Sequence, residues 1–352
     1  MNDQTRLIPA DELEAACQRA LLAAGAHQDI AGDVARALVS TSLRGIDSHG
    51  VALLPRILKR AEAGRCQLER PIKPVVQDAG KAVAVFEANL APGQHSGMAC
   101  ARAAAEKAGK FGIGMAAVRN STHFGAAAPY VAAVVEEGLA GFVGSNSTPS
   151  MAAFGATFPN LGNNPLGFGA PVEGGPDLIF DFSCGVMSFG GLAKLRAAGE
   201  PVPEDAFIKP TELPQDRPVY EIAGDLEWAA LPFGGHKGAS LAVMVEVLGG
   251  LLSNGNFGIK TEVMDGDTFR GPSHFVIAFD PQSFGIETMP ALMAQYAAGI
   301  RQGRVSVRLP GDNAAAVAVE RQRNGIPIGE TLRREVRQLS DSLGVDCGRV
   351  NL

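Results

Sequence analysis

The chain has 352 residues, of which 46% are hydrophobic and 19% are charged, and its formal net charge at pH 7 is −6. These values are typical of a globular protein with a sizeable core, and they exclude a disordered or fibrous chain. Proteins that bind a phosphate backbone are usually basic, so nucleic acid is not an expected partner. At about 100–200 residues per domain, the length predicts two domains, or one domain with a helical extension.

The sequence contains no segment typical of membrane insertion or secretion. Its most apolar helical run, residues 239–252, is too short to span a bilayer and contains Glu246. No basic segment followed by an apolar stretch stands near the N-terminus. The five cysteines form no C-x-x-C pair; they are Cys17, Cys66, Cys100, Cys184 and Cys347. This usage fits a reducing compartment, so we expect a cytoplasmic protein with no membrane partner, no disulfide framework and no metal site.

In chain order, residues 10 to about 62 are predicted to form three helices, because apolar residues recur there at helical spacing. From residue 81, short strand-like runs alternate with alanine-rich helical stretches, and the chain becomes helical and charged again from about residue 311 to 344. The predicted strands are 82–86, 113–118, 140–145, 178–182 and 275–279. The predicted helices of this region are 96–108, 126–137, 239–253 and 290–302. This alternation indicates a layered α/β or α+β domain, with the proline-rich stretch 201–218 as an ordered surface loop.

The common nucleotide-binding and hydrolase motifs are missing from the sequence. No G-x-x-x-x-G-K-[ST] occurs, and no G-x-G-x-x-G opens a helix after a predicted strand. G-x-S-x-G and H-E-x-x-H are missing as well. The sequence therefore disfavours a Rossmann dehydrogenase, a P-loop enzyme, a serine hydrolase and a zincin.

Two polar segments carry histidines that could act as acids or bases. In residues 44–50, Arg-Gly-Ile-Asp-Ser-His-Gly, His49 lies between Ser48 and a glycine at a helix break. Such a histidine can carry a proton near neutral pH, and the alternative is a helix cap in which His49 is incidental. Residues 120–125, Asn-Ser-Thr-His-Phe-Gly, follow a predicted strand. Reactive residues of α/β proteins often lie at that position, and the alternative is a capped turn.

Two further segments could bind a nucleotide. Residues 162–171, Gly-Asn-Asn-Pro-Leu-Gly-Phe-Gly-Ala-Pro, combine amides with glycines that would let a flat ligand approach the backbone. Residues 231–238, Leu-Pro-Phe-Gly-Gly-His-Lys-Gly, place a lysine and a glycine-rich turn at the start of a helix, which favours an anion such as a pyrophosphate. A plain turn is the alternative for the first segment, and a simple helix cap for the second.

Taken together, five motifs in this order resemble the malate/L-lactate dehydrogenase family, which lacks a Rossmann fold. They are S-H-G, N-S-x-H-F-G, G-x-N-P-L-x-F-x-x-P, F-D at 180–181 and P-F-G-G-H-K-G, and the resemblance covers residues from about 10 to 330. The sequence is most similar in texture to the piperideine- and pyrroline-2-carboxylate reductases. The resemblance implies an α/β fold: a mixed-sheet, non-Rossmann NAD(P)-binding domain at residues 81–310 and a helical domain formed by residues 1–80 and 311–352.

The resemblance also implies an activity, a cofactor and site residues. The chain would form a homodimer and transfer hydride between NADP or NAD, with a preference for NADP, and a small 2-oxo or cyclic 2-imino carboxylate. Ser48 and His49 would form the proton-donating element, with His123 as the second acid/base candidate and Thr122 as a substrate contact. The residues that match cofactor-binding segments are Asp181, Phe182, Ser183, His236, Lys237, Arg308, Leu309, Pro310 and Gly311. The amide of Asn163 is a further candidate.

The sequence departs from the family's pattern at several site positions. Leu53 stands where members commonly have an arginine that binds the substrate carboxylate, and Ile57 where a tyrosine often follows. Gly191 stands where the imino-acid reductases have the charged residue that orients the histidine, and residues 206–221 replace a loop of the family.

Other side chains are candidates for the missing roles. Arg44 and Arg56 could bind the substrate carboxylate, and Asp47 could orient His49. Two functions therefore remain open: a reductase of 2-oxo or cyclic 2-imino carboxylates, and a scaffold of the same family that binds nucleotide but has lost or changed the redox reaction.

Overall fold

The computed structural model of the chain describes residues 5–211, 228–261, 263–265, 268–304 and 306–342. Sequence-based predictions for Cys347, for residues 212–221 and for the two chain ends beyond these limits lie outside the described residues. Within the described part, none of the helices combines the length and the hydrophobicity needed to cross a bilayer.

The described residues form ten α-helices and fifteen strands. The helices are α1 (Ala10–Ala23), α2 (Gln28–Leu43), α3 (Leu54–Glu62), α4 (Gly93–Phe111), α5 (Ala128–Val135), α6 (Phe189–Ala198), α7 (His236–Val245), α8 (Met289–Arg301), α9 (Asp312–Asn324) and α10 (Glu330–Ser342). The strands are β1 (Arg6–Ile8), β2 (Lys73–Val76), β3 (Val83–Glu87), β4 (Ile113–Arg119), β5 (Ala140–Ser145), β6 (Pro149–Met151), β7 (Leu161–Gly162), β8 (Leu166–Ala170), β9 (Leu178–Phe182), β10 (Phe207–Ile208), β11 (Ala229–Ala230), β12 (Val263–Asp265), β13 (Thr268–Arg270), β14 (His274–Phe279) and β15 (Ile326–Ile328).

A seven-stranded mixed sheet, in the order β2-β3-β4-β14-β5-β8-β9, forms the centre of the fold. Strands β3 and β4 are parallel, and the other neighbours are antiparallel. Strand β14 lies in the middle with most of its side chains buried, as expected of an apolar strand covered on both faces. Helix α4 packs on β4 and β14 and against α2 and α5. The predicted mixed α/β sheet without a Rossmann fingerprint is confirmed.

The two ends of the described chain pack together beside the sheet. Strand β1 pairs with β15 in an antiparallel two-stranded sheet. One apolar core contains residues of α1, α2 and α3 together with Ile326, Ile328 and Val336. Two further cores lie on the sheet and its covering helices. The grouping of both ends is therefore visible, while the exact domain boundaries stay a prediction.

One of the candidate nucleotide-binding segments is partly a strand. The glycine-rich segment 162–171 contains β8, which pairs with β5 and β9. A Cβ atom built on Gly167 would lie 2.8 Å from Ala127 Cβ, and one built on Gly169 would lie 2.5 Å from Val131 Cγ1. These glycines therefore let α5 lie close against the sheet, and the binding of a ligand by the rest of the segment stays a prediction.

The helix predicted at 239–253 differs from the structure in its start and in its winding. It begins at His236, after Gly235 with a positive φ of 60°. From Glu246 to Leu251 it continues as a π-helical segment. Helix α6 and the short strands β6 and β7 were not predicted, because their sequences are short and rich in glycine, serine and proline.

Candidate active site

A cavity of about 560 Å³ lies between the helical chain ends and one edge of the mixed sheet. The helical side contributes Ile46, Ser48, His49, Leu53 and Arg56. The sheet side contributes the segments that follow β4 and β5. It also contributes Asn163, Pro165 and residues 181–183 and 188–190. The polar segments 44–50 and 120–125 therefore meet at one cavity.

His49 reaches the cavity from a 3₁₀ turn, Asp47–His49, between α2 and α3. The backbone there is tightly packed, because a Cβ on Gly50 would lie 2.0 Å from Ser42 Oγ. The same Ser42 hydroxyl accepts a hydrogen bond from the Val51 N–H at 3.0 Å. Ser48 Oγ lies 2.9 Å from His49 Nδ1, so the serine hydroxyl can fix the orientation and tautomer of the ring.

His123 reaches the same cavity from the loop after β4. The chain turns there through Asn120 and Gly125, with φ values of 55° and 78°. The Gly125 N–H donates to His123 Nδ1 at 3.3 Å, which leaves Nε2 as the nitrogen that can exchange a proton with a ligand. The ring centroids of His123 and His49 are 5.7 Å apart.

The surroundings of both histidines favour neutral rings. Burial lowers the pKa of His49, with the Asp181 carboxylate opposing and the Arg56 guanidinium adding to the effect. Burial lowers the pKa of His123 well below its ordinary value, and the positive charges of His49, Arg56 and Arg60 add to this. Two neighbouring imidazoles beside the positive charge of Arg56 resist being protonated together. We therefore expect the pair to carry no more than one additional proton at a time.

Of the two candidate arginines for a substrate carboxylate, the structure brings one to the cavity. Arg56 lines it and is the one lysine or arginine among the described residues that do so. Arg44 instead donates from Nη2 to the carbonyl oxygen of Ile179 at 2.9 Å and does not line the cavity. Leu53 lines the cavity, whereas Ile57 belongs to the core of the helical ends.

Three other predicted positions have different surroundings from those expected. Thr122 is 4% exposed and does not line the cavity, and its hydroxyl accepts a hydrogen bond from Gly93 N–H at 3.0 Å. Asp47 is paired with Arg321, whose Nη2 donates to Oδ2 at 3.0 Å, so its carboxylate is not directed to His49. The backbone N–H of Gly191 donates to Ser188 Oγ at 3.1 Å in the first turn of α6, and a glycine offers no charge to His49.

The cofactor candidates gather around strand β9. Asn163, Asp181, Phe182 and Ser183 line the cavity. Asp181 Oδ2 accepts hydrogen bonds from the N–H groups of Ala127 and Ala128, at 3.0 and 3.1 Å, at the start of α5. The carboxylate therefore ties the end of β9 to this helix.

His236 and Lys237 lie in the first turn of α7, exposed and outside the cavity, but their segment adjoins the end of β9. The Phe233 and Phe182 rings are 5.8 Å apart, and Phe233 N–H donates to the Cys184 carbonyl at 3.0 Å. A Cβ on Gly235 would have no atom within 4 Å, so the approach to this helix start is open.

The segment of Arg308, Leu309, Pro310 and Gly311 meets β9 at Gly311. A Cβ on Gly311, whose φ is 89°, would lie 2.1 Å from the Ile179 carbonyl oxygen. Arg308 donates to the side chain of Asn313, and Leu309 N–H donates to Asp312 Oδ2 at 2.9 Å. The cofactor candidates thus meet β9 at three points: at Asp181 in the cavity, at Phe182 beside Phe233, and at Ile179 beside Gly311.

A polar wall of the cavity and a buried network behind it were not predicted from the sequence. Residues 145–150, Ser-Asn-Ser-Thr-Pro-Ser, line the cavity from the last residue of β5 into β6. Glu246 is 7% exposed, and its carboxylate accepts hydrogen bonds from Asn146, Asn164 and the Gly258 N–H at 3.0, 3.0 and 3.1 Å. The polar run after a predicted strand was a usable signal, of the same kind as residues 120–125, whereas the pairing with Glu246 is not readable from sequence.

Among the described residues, no group of three or more histidine, cysteine, aspartate or glutamate side chains could hold a metal ion. The cavity instead combines two imidazoles, one guanidinium, several hydroxyls and amides, and apolar side chains such as Leu53 and Phe124. Such a site can bind a small carboxylate, exclude water and exchange one proton.

Comparison with known proteins gives a consistent picture. The family model described as malate/L-lactate dehydrogenase matches residues 8–337. A malate dehydrogenase from Pyrococcus abyssi is 32% identical over 353 residues, which cover 96% of this chain and 95% of the relative. A (2R)-3-sulfolactate dehydrogenase (NADP(+)) from Chromohalobacter salexigens is 33% identical over 326 residues, which cover 90% and 93%. The crystal structure of Δ1-piperideine-2-carboxylate reductase from Pseudomonas syringae superposes with a TM-score of 0.82 at 26% identity and covers 95% of this chain and 100% of that one.

Proposed function

Since the chain belongs to the malate/L-lactate dehydrogenase family and is therefore an NAD(P)-dependent oxidoreductase, we propose that it reduces a small 2-oxo or cyclic 2-imino carboxylate. The observation that carries this proposal is the pair of imidazoles, His49 and His123, 5.7 Å apart at one cavity that Arg56 also lines. Relatives named as malate and sulfolactate dehydrogenases and as pyrroline-2-carboxylate reductases support the same class of substrate.

The residues of the cavity have distinct roles in the proposed reaction. A nicotinamide cofactor, when bound, would supply hydride to the substrate carbon. Arg56 binds the substrate carboxylate, because a guanidinium matches that group with two parallel hydrogen bonds. His49, oriented by Ser48, donates the proton that the oxygen or nitrogen on this carbon must gain, and His123 hydrogen-bonds the same atom or donates in its place. General acid help of this kind typically contributes about 10²–10⁴ in rate.

We assign the cofactor to the candidate residues that meet β9. The nicotinamide half would lie at the cavity, held by Asn163, Asp181, Phe182 and Ser183. The segment at His236 and Lys237 would bind the phosphates. This fits the open approach at Gly235 and the exposed lysine in the first turn of α7, where backbone N–H groups attract anions. Residues 308–311 would border the rest of the molecule. We favour NADP over NAD, since exposed Lys237 and Arg308 could meet a 2′-phosphate.

The test is turnover, followed by the absorbance of reduced nicotinamide, with a panel of linear 2-oxo acids and cyclic 2-imino acids. We expect oxidation of NADPH or NADH with at least one substrate class, and a KM raised roughly 10- to 100-fold in Arg56→Leu, because a charge-assisted hydrogen bond contributes about 1.5–3 kcal/mol. The control is Lys59→Ala, an exposed cation on the same helix, with unchanged KM. Cofactor binding without turnover for any acid would contradict the proposal and favour a scaffold that has lost or changed the redox reaction.

We also propose that the protein acts as a homodimer. Support comes from an apolar stripe on α7 and its π-helical continuation, formed by the exposed side chains of Val243, Val247 and Leu251. Large exposed apolar patches commonly mark contacts between subunits.

A further inference from the structure

A buried histidine outside the cavity lies between the two loops that form its wall. His274 is the first residue of β14 and is fully buried. In the sheet it pairs with Val118 of β4 on one side and with Ser145 of β5 on the other. Strand β4 leads into the loop of His123, and β5 leads into the polar wall, so His274 lies at the point where both loops leave the sheet.

The ring of His274 makes one hydrogen bond to each of these loops. Its Nε2 lies 3.2 Å from the carbonyl oxygen of Thr122, and its Nδ1 lies 2.8 Å from Ser145 Oγ. A carbonyl can only accept, so Nε2 carries the hydrogen, and in the neutral ring Nδ1 accepts from the Ser145 hydroxyl. That hydroxyl also lies 2.7 Å from the carbonyl oxygen of Asn146, so it has a second acceptor within reach.

The contacts of His274 flank His123 on both sides. Thr122, whose carbonyl accepts from Nε2, precedes His123 in the chain, and Phe124, which follows it, stacks on the His274 ring with centroids 4.8 Å apart and planes at 21°. Burial lowers the pKa of His274 to about 3, although the backbone contacts at Thr122 and Ser273 oppose this. The ring therefore keeps one protonation state and one tautomer throughout the neutral pH range.

We propose that His274 is a positioning residue. Its neutral ring holds segment 122–124 at a fixed position relative to Ser145 in the cavity wall, and thereby fixes the position of the His123 imidazole. The importance of this position for catalysis rests on the proposed function, in which His123 contacts the reacting atom. A displacement of about 1 Å at such a group can cost about 100-fold in rate.

The experiment compares two substitutions of His274 with a core control. His274→Phe keeps an aromatic ring against Phe124 but removes both hydrogen bonds, whereas His274→Gln can donate its amide hydrogen to the Thr122 carbonyl. Val276→Ala is the matched control, because Val276 is fully buried two residues along the same strand and belongs to the core beneath it. Val276→Ala loses core packing but keeps both hydrogen bonds of His274, whereas His274→Phe keeps the ring and loses both bonds.

We expect kcat to fall roughly 10- to 100-fold in His274→Phe, with recovery of most of it in His274→Gln and wild-type kcat in Val276→Ala. Cofactor affinity, measured by nicotinamide fluorescence, is expected to stay unchanged in all three. Wild-type kcat in a folded His274→Phe variant would overturn the proposal, as would an equal loss in Val276→Ala.

Imidazole nitrogen NMR separates this proposal from the proposed function, because it needs no substrate. We expect the His123 signals to move in His274→Phe, to return towards their wild-type positions in His274→Gln, and to stay in place in Val276→Ala. If the wild type turns over none of the acids, the proposed function fails, and the NMR result still decides whether His274 holds His123. If His274→Phe does not fold, Ser145→Ala removes the other end of the bridge, and unchanged His123 signals in that variant would overturn the proposal.

Discussion

His49 and His123 lie at one cavity near the same guanidinium, and we expect the pair to carry one proton. The other groups around each ring therefore decide which of them carries it. His49 is half-buried and has Ser48 Oγ at Nδ1 together with the Asp181 carboxylate, which partly offsets the effect of burial on its pKa. His123 has no such carboxylate among the causes that shift its pKa, and the charge of His49 disfavours its protonation. We therefore expect His49 to be the proton donor and His123 to hydrogen-bond the substrate.

We expect kcat/KM for reduction to rise as the pH falls from about 8 to about 6. The donor must be protonated, its ordinary pKa is about 6.5, and burial lowers that value. The protonated fraction consequently grows throughout this range without a plateau above about pH 6.5. Steady-state kinetics across this pH range is the measurement.

The two alanine variants assign the pH dependence to one ring. His49→Ala is expected to abolish reduction with unchanged cofactor affinity, whereas His123→Ala is expected to raise KM and lower kcat while keeping the pH dependence. Near wild-type turnover in His49→Ala, with loss of the pH dependence in His123→Ala, would move the proton donor to His123.

The two cavity histidines could be found from sequence because each lies in a short polar segment bounded by glycine. His274 offered no such signal, since it is a single polar residue at the start of an apolar strand. Its proposed role arises from hydrogen bonds of its ring to residues more than 120 positions away, Thr122 and Ser145. Likewise, Arg44 and Arg56 have the same chemistry in sequence, and the direction of each side chain, set by packing, separates them.

At the scale of elements, the strands of the central sheet were easier to predict than the segments around it. The bounds of β5 and β9 agree with the predicted strands 140–145 and 178–182, because short and mostly apolar runs indicate strands. The strand β9 was expected to be buried, but it lies at the edge of the sheet and only Ile179 in it is buried. The glycine-rich strand β8 lacks that signal, and its Gly167 and Gly169 are explained by contacts with α5. The π-helical segment after α7 has no local sequence signature, because the position of Glu246 depends on partners in distant loops.

That segment leads to a prediction about Glu246. Its carboxylate accepts from the Asn146 and Asn164 amides and from Gly258 N–H. In Glu246→Gln, one acceptor oxygen becomes an NH₂ group that faces other donors. A buried donor left without its acceptor costs about 1–3 kcal/mol, so we expect the free energy of unfolding in urea to fall by about that amount.

The same substitution should also weaken substrate binding, because both partners of Glu246 support the cavity wall. Asn146 lines the cavity, and Asn164 Oδ1 accepts a hydrogen bond from the Ser147 N–H at 3.0 Å. The control is Glu137→Gln, an exposed carboxylate after α5, for which both quantities should stay unchanged. A stability of Glu246→Gln equal to that of the control would show that the network is dispensable.

At the scale of the whole molecule, the two chain ends share a core beside the sheet, and the cavity lies between these two parts. The outer surface carries an apolar stripe formed by Val243, Val247 and Leu251, which are 41%, 39% and 48% exposed. Their spacing of four residues places them on one face of α7 and its π-helical continuation. Leu252, at 59% exposed, extends the patch.

We expect this stripe to be the contact between two copies of the chain, and light scattering to give twice the chain mass of 36.5 kDa. A stable dimer buries about 1,200–2,000 Å² in total, and each aliphatic side chain that becomes fully buried contributes about 1.5–3 kcal/mol. The double variant Val247→Asp and Leu251→Asp places two carboxylates in that contact and should give monomers at micromolar concentration. Val75→Asp is the control, because Val75 is 49% exposed on the edge strand β2. Monomers in the wild type would refute the dimer, and monomers in Val75→Asp with dimers in the double variant would move the contact to the edge of the sheet.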